Sequence, residues 1–320
     1  MIDYFDKLYA SIINTNQFLT RNRYYSALRF FIREIANKIL PVYFYFTKNK
    51  KCFSLGIPQN RKIPIIVSLT SFPNRIFKVW LVIESILRQT EKPDQIILWL
   101  SKEQFGSIES LPQRLLKQQE RGLVIVLKEG DLRSHKKYFY TLQEFPKAIM
   151  ITLDDDIFYP SNTLSELFKW HHKFPNSIIA RYGLKIKLTN NDLAPYKEWE
   201  ENYQQESPDF NVFFGSGGGT LFPPNSLSKE ALNSHIFTTI CMNADDVWLN
   251  TMCRLKKTKI YKINHNRCSL LPVLNQNNIT LSRRNVQENL NDRQLRGVRK
   301  YFIINKNTDP YMLALSPKTN

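Results

Sequence analysis

Three consecutive carboxylates, Asp154-Asp155-Asp156, follow directly on the apolar run Ala148-Ile149-Met150-Ile151-Thr152-Leu153. Adjacent carboxylates repel one another, and at the exit of a buried strand solvent does little to relieve them. A divalent cation offsets that repulsion, and an all-oxygen donor set suits Mg2+ or Mn2+. Side chains alternate along a strand, so Asp154 and Asp156 are expected on one face and Asp155 on another. A second acidic pair, Asp245-Asp246, opens an apolar helical stretch containing Val247, Trp248, Leu249 and Met252. Asp at that position is either a helix cap or the general base that transfer to a hydroxyl requires. His265 follows another possible strand, Lys259 to Ile263, and reads as a third metal ligand or as an exposed loop histidine.

The remaining candidates surround these acids. Thr70, Ser71 and Arg75 lie where a first strand meets a helix start, a place for phosphate or nucleotide. Arg133, Lys136 and Lys137 cluster after a third strand, as phosphate partners or as a solvated charge run. Four of the ten glycines fall in Gly215-Ser216-Gly217-Gly218-Gly219. That density marks a turn where backbone approaches something closely. No Lys-Ser/Thr follows, so it is not a Walker loop.

The elements needed to position these residues are legible from periodicity. Apolar runs at 63–70, 95–100, 123–127 and 148–153 read as buried strands. Apolar residues recur at helical spacing over 76–89, 111–120 and 134–144. Strand and helix alternate as βαβ units, which predicts a parallel, doubly wound sheet with its ligands at the carboxyl ends of the strands. The acids, hydroxyls and cations named above all fall at such ends.

Composition limits the remaining choices. The chain has 320 residues, 42% of them hydrophobic, which is too apolar for a disordered chain. No uninterrupted apolar run is long enough to span a bilayer. The start, Met1 to Asp6, carries acid where a secretory leader carries base, so a cytoplasmic setting is expected. Cys52, Cys241, Cys253 and Cys268 lack CxxC spacing and read as reduced thiols, and a zinc set of Cys241, Cys253, His265 and Cys268 has irregular spacing. The net charge of +17 is unevenly placed. Residues 1–51 hold nine basic and three acidic side chains, residues 52–251 hold 22 of each, and residues 252–320 hold fourteen and three. A neutral body makes a poor nucleic-acid channel. In the first segment Leu28, Phe31, Ile35 and Ile39 recur among Arg29, Arg33 and Lys38. This predicts a basic amphipathic helix ending at Leu40-Pro41, with an aromatic cluster over 42–46. It is either interfacial or packed on its own domain. In the last segment Arg283, Arg284, Arg293, Arg296, Arg299 and Lys300 accompany Leu290, Leu295, Val298 and Phe302.

The ordered set of Ile66–Pro73, Ile149–Pro160, Pro195–Trp199 and Gly217–Pro224 resembles the GT-A glycosyltransferases, and more narrowly the family-2-like bacterial enzymes of surface-polysaccharide assembly. The resemblance covers about residues 63–265. It implies an α/β GT-A fold with a mostly parallel Rossmann-like sheet, a catalytic domain at 61–270, and basic helical extensions at 1–60 and 271–320. It implies a nucleotide-diphosphate-sugar donor, a saccharide or lipid-linked saccharide acceptor, and Mn2+ or Mg2+. Asp154 and Asp156 match the DxD metal motif, with Asp154 and Asp155 near the donor. Thr70, Ser71 and Arg75 match the nucleotide-contacting strand end, with Arg133, Lys136 and Lys137 assisting. Gly217, Gly218 and Gly219 match the segment beneath donor sugar and acceptor, and Asp245 or Asp246 the acceptor-activating acid. Two features depart from the pattern: the middle motif residue is a third Asp, and the later pair is Asp-Asp rather than Glu-Asp. The basic ends are expected to hold the protein on the inner face of the cytoplasmic membrane. The competing expectation is a metal-dependent phosphoryl- or nucleotidyl-transfer enzyme.

Overall fold

The structure is a computed structural model that describes residues 1–12, 23–48, 55, 61–201, 203–264, 270–274 and 290–315. In chain order its main elements are α1 (Ile2–Ala10), α2 (Tyr24–Thr47), β1 (Ile65–Thr70), α3 (Pro73–Leu87), β2 (Gln95–Ser101), β3 (Leu123–Lys128), α4 (Lys136–Glu144), β4 (Ile149–Leu153) and α5 (Thr163–Lys173). There follow β5 (Ile178–Ala180), β6 (Gly183–Lys185), β7 (Val212–Phe214), β8 (Gly218–Phe222), α6 (Ser234–Ile240), α7 (Asp245–Leu255), β9 (Ile260–Lys262), α8 (Leu290–Lys306) and α9 (Pro310–Leu315).

The four expected strands form one parallel block, β3-β2-β1-β4, within a seven-stranded sheet of order β9-β5-β8-β4-β1-β2-β3. Both faces of this block are covered, which is why its strands read as near-continuous apolar runs. Val67 and Leu69 of β1, Ile96, Leu98 and Leu100 of β2, and Ile151 and Leu153 of β4 join one core with α3 and α5. The alternating residues Ile66, Ile97, Trp99 and Met150 join a second core with α4, α7 and α8. β8 is antiparallel to both β4 and β5, so it enters the sheet from the opposite end. Its start, rather than its end, therefore lies beside the carboxyl end of β4.

Three expectations about the elements are corrected. The helix expected over 111–120 is two short turns, Gln113–Leu116 and Gln119–Arg121. α2 does not stop at Leu40-Pro41 but runs through Pro41 to Thr47. Proline removes the donor that the Asn37 carbonyl would receive. The Asn37 side chain meanwhile bonds the backbone of the 270–274 segment, giving to Pro272 O at 2.9 Å and accepting from Leu274 N at 2.9 Å. Packing on the body thus supports the helix at the step where the local sequence predicts an end. The apolar residues of α8 are also spent inside: Leu295, Val298 and Phe302 are buried in the second core, and Phe302 lies 6.2 Å from the Trp248 ring. The tail thus owes these apolar residues to the fold and not to a surface. Arg283 and Arg284 lie outside the described residues.

Candidate active site

β4 delivers the three aspartates to the sheet edge in three different settings. Asp155 turns inward and is buried. It accepts from the Ser71 hydroxyl at 2.5 Å and from Arg75 at 2.6 Å. Arg75 also pairs with Asp156 at 2.9 Å. Asp154 pairs with the Lys137 ammonium at 2.8 Å and keeps 42% of its side chain exposed. Burial, only partly offset by Arg75, pushes the Asp156 carboxyl up to about 7, with the neighbouring Asp154 and Asp155 adding to the rise. Burial raises Asp155 as well, against the pull of Arg75 and Ser71.

The second acidic pair stands in the first turn of α7, where the exposed N–H groups and helix dipole favour negative charge. Asp245 is buried. It pairs with Lys137 at 3.0 Å and accepts from the Ser216 hydroxyl at 2.7 Å. Burial works to raise its carboxyl, but Lys137 and its other partners outweigh that and hold it well below the usual carboxylate range. Asp246 accepts the Ser216 backbone N–H at 2.7 Å. Burial and the adjacent Asp245 charge push it up to about 7. Lys137 therefore touches both clusters. Burial by itself would lower its ammonium, yet Asp154, Asp245 and Asp246 outweigh that and keep it protonated. Its backbone is fixed from beneath: the Ser68 hydroxyl donates to Lys137 O, and Trp99 Nε1 reaches Ser68 Oγ at 3.0 Å and Thr141 Oγ1 at 2.9 Å.

The glycine segment joins the two clusters. Asp154 N donates to Gly217 O at 3.0 Å, and Thr152 Oγ1 donates to Ser216 O at 2.6 Å. Tyr159 also donates its hydroxyl to Gly217 O at 2.6 Å. A Cβ on Gly217 would stand 1.7 Å from the Asp154 carboxylate, so this position must be glycine for Asp154 to sit where it does. Gly219 has φ +102° at the register shift where β8 departs from β4, a bulge that favours glycine. The close approach predicted from the glycines is thus made to the protein's own Asp154.

The other candidates divide. Thr70 donates to the Trp99 carbonyl at 2.8 Å, so this hydroxyl serves the neighbouring strand. Ser71 and Arg75 meet the acids. Lys136 and Lys137 are both buried, contrary to a solvated charge run. The cationic trio is also not one cluster: Lys136 pairs with Asp131, and exposed Arg133 bonds the Asn243 side chain. His265 and Cys268 lie outside the described residues. Cys241 and Cys253 are buried free thiols whose Sγ atoms donate to the backbone, to Ala244 O and Asn250 O, each at 3.1 Å.

Sequence reading missed Ser216, the residue that bonds both Asp245 and Asp246, although its signal was present as the lone functional side chain among the glycines. It also missed buried His135, whose ring stacks on Phe237 at 4.3 Å.

The site fits a hard divalent ion in donor chemistry and in charge. Asp154, Asp155, Asp156, Asp245 and Asp246 are five carboxylates, and Arg75 and Lys137 pair with the first four of them. All the donors are oxygens. Among the described residues no group of three His, Cys, Asp or Glu side chains stands ready around one point.

No family model and no curated protein matches the chain. Among solved structures it is similar to the mannosyltransferase PcManGT from Pyrobaculum calidifontis in complex with GDP-Man and Mn2+, with TM-score 0.47 and 11% identity over 88% of this chain and 78% of that one. It is similar to S. aureus TarS 1-349, with TM-score 0.40 and 10% identity over 62% of this chain and 58% of that one. A third similarity is to UTP-bound UGPase from Acinetobacter baumannii, with TM-score 0.34 and 13% identity over 63% and 86%. At these identities and TM-scores the likenesses carry no argument about fold or activity. The mostly parallel Rossmann-like sheet, with helical segments at both ends of the chain, is the architecture that the GT-A resemblance implies.

Proposed function

We propose that the protein is a glycosyltransferase. It would move a sugar from a nucleotide-diphosphate-sugar donor to a hydroxyl of a saccharide or lipid-linked saccharide acceptor, in family-2-like assembly of bacterial surface polysaccharide. One observation carries this reading: two acidic clusters about ninety residues apart in sequence meet on Lys137 across a glycine segment that binds both. The pair Asp154 and Asp156 would hold Mn2+ or Mg2+. When bound, such an ion neutralises charge developing on the diphosphate leaving group.

The protein's own residues divide the remaining work. Asp245 is fixed as an anion by Lys137 and Ser216 and so keeps Lys137 in place. Asp246 has its carboxyl raised toward neutrality, which makes it the better proton acceptor near pH 7. In the reaction the acceptor oxygen bonds to the anomeric carbon as the anomeric carbon–phosphate oxygen bond breaks. The hydroxyl proton passes to Asp246, and the nucleoside diphosphate leaves with the bonding electrons. Ser71 and Arg75 position Asp155 and Asp156 for this.

The test is a screen of UDP-, GDP- and CDP-sugars with Mn2+, in wild type and in Asp156→Ala. Nucleoside diphosphate release is expected with one donor class, and it should disappear in EDTA and in the folded variant. Full activity under either condition overturns the proposal. Pyrophosphate release from a nucleoside triphosphate and a sugar phosphate would instead establish nucleotidyl transfer.

A further inference from the structure

α2 buries one face and leaves another bare. Ile32, Ala36, Leu40 and Phe44 pack into the first core. Leu28, Phe31, Ile35, Ile39, Val42 and Phe46 follow one another at steps of three or four residues, the spacing that sets side chains along one helix face. All six are exposed, from 38% at Leu28 to 78% at Phe46. These include the residues whose spacing predicts the helix in the first place, so the sequence pattern reports the outer face and not the packed one. The helix has 24 residues, about 36 Å of length at the usual rise. Contiguous apolar surface on that scale marks an interaction site.

The charge around the stripe indicates what covers it. Over residues 23–48 there are five cations, Arg23, Arg29, Arg33, Lys38 and Lys48, against the single acid Glu34. Glu34 lies 3.5 Å from Arg33. Lys38 is exposed beside the stripe, and the Lys48 ammonium lies 4.4 Å from the Tyr45 ring centroid. A second copy of the chain fits this poorly. Parallel pairing of two α2 helices sets Lys38 against Lys38, and antiparallel pairing sets the Arg23 end against the Lys48 end. An anionic bilayer supplies both an apolar interior for the stripe and negative charge for its flanks. α1 packs beside α2 and adds exposed Tyr4, Lys7 and Leu8. No helix among the described residues is long and apolar enough to cross a membrane, so the contact is one of lying on the surface.

We infer that α2 docks flat on an anionic lipid surface through the Leu28–Phe46 stripe. This inference is independent of the chemistry proposed for the acidic site. It also places membrane contact on the first basic segment, whereas the apolar residues of α8 are buried in the core.

The test is flotation of the full chain with phosphatidylcholine vesicles containing phosphatidylglycerol, against phosphatidylcholine alone. Wild type is expected to float with the anionic vesicles and to lose binding as salt rises. Phe31→Ser with Ile35→Ser removes two exposed side chains, so the fold should survive, as an unchanged Tm will report, while vesicle affinity falls by roughly 100-fold. Lys38→Glu should lower it by roughly tenfold. Failure of wild type to float overturns the inference, as does a double variant that floats as well as wild type. A wild-type dimer that ignores vesicles and is split by Ile35→Ser would assign the stripe to a second copy and likewise overturn it.

Discussion

The strand-end acids and the helix-start acids are the same side chain held in two ways. At the end of β4, one guanidinium serves two carboxylates: Arg75 is shared by Asp155 and Asp156, and burial still raises both. At the start of α7, Lys137 and the Ser216 hydroxyl both contact Asp245 and hold it ionised, leaving Asp246 as the raised partner. The strand cluster is therefore short of positive charge as a unit and suits an added cation. The helix cluster is internally divided into a carboxylate held ionised and one raised toward neutrality, the second being the proton acceptor we propose. Lys137 links the two, so its removal is the strongest way to break the comparison. Lys137→Met leaves Asp154, Asp245 and Asp246 without their shared cation, and a loss of about 3–5 kcal/mol is expected by urea unfolding in EDTA. A loss confined to a few tenths would mean that the clusters are held independently.

Neutralising each helix acid in turn sharpens the division. Asp246→Asn should reduce transfer by about 10²–10⁴-fold and leave the protein no less stable at pH 8. The sign follows from the raised carboxyl. The folded state holds the Asp246 proton up to about 7, whereas the ordinary value is 3.8. Stability therefore falls as pH rises between those values, and the full cost is present at pH 8. Removing that charge relieves roughly 1–3 kcal/mol. Asp245→Asn should do the opposite and destabilise at pH 8, because it removes the ionised partner of buried Lys137 and leaves Asp154 as its one paired carboxylate. Equal stability changes in the two variants would refute the division into an ionised and a raised carboxylate.

Much of this was legible in sequence because it is local. Asp154-Asp155-Asp156 after an apolar run, and Asp245-Asp246 before one, announce themselves by adjacency, and the parallel block follows from regular alternation of strand and helix. What was not legible depends on register. Lys136 and Lys137 are neighbours with the same side chain, and nothing local says that one meets Asp131 while the other meets Asp154 and Asp245. The role of Ser216 likewise exists only because β8 runs antiparallel to β4 and brings its first residues to the carboxyl end of that strand. In α2 the local signal misled. The apolar residues that predict the helix are the exposed ones, whereas the core takes a second apolar row at steps of four, Ile32, Ala36, Leu40 and Phe44, and periodicity does not say which of two apolar rows faces inward.

The glycine segment offers a smaller perturbation that acts on one cluster only. Gly217→Ala puts a methyl where the Asp154 carboxylate now lies, so Asp154 must turn away from Lys137. A cost of about 1–3 kcal/mol is expected in thermal unfolding, along with weaker Mn2+ binding. The Asp245–Lys137 pair should be untouched. If Mn2+ affinity is unchanged, Asp154 does not contribute to the metal site.

The smallest expected effect belongs to the helix side alone. His135 is buried, with Nδ1 at 2.8 Å from the Tyr138 hydroxyl and Nε2 at 2.9 Å from the Cys241 carbonyl. Burial lowers its imidazole from 6.5 to about 4, against the opposing pull of Asp245. The folded state thus resists a proton that the unfolded chain accepts. The stability this confers is fully present above pH 6.5 and is lost as pH falls toward 4, opposite in sign to the effect of Asp246 over the same range. His135→Gln keeps a side chain able to reach one of the two partners and removes the titration. Its stability deficit relative to wild type, measured by urea unfolding, should therefore shrink by roughly 1–2 kcal/mol between pH 7 and pH 5. A deficit independent of pH would mean that His135 titrates alike in the folded and unfolded chain, and a deficit that grows toward pH 5 would mean that the fold favours its imidazolium beside Asp245.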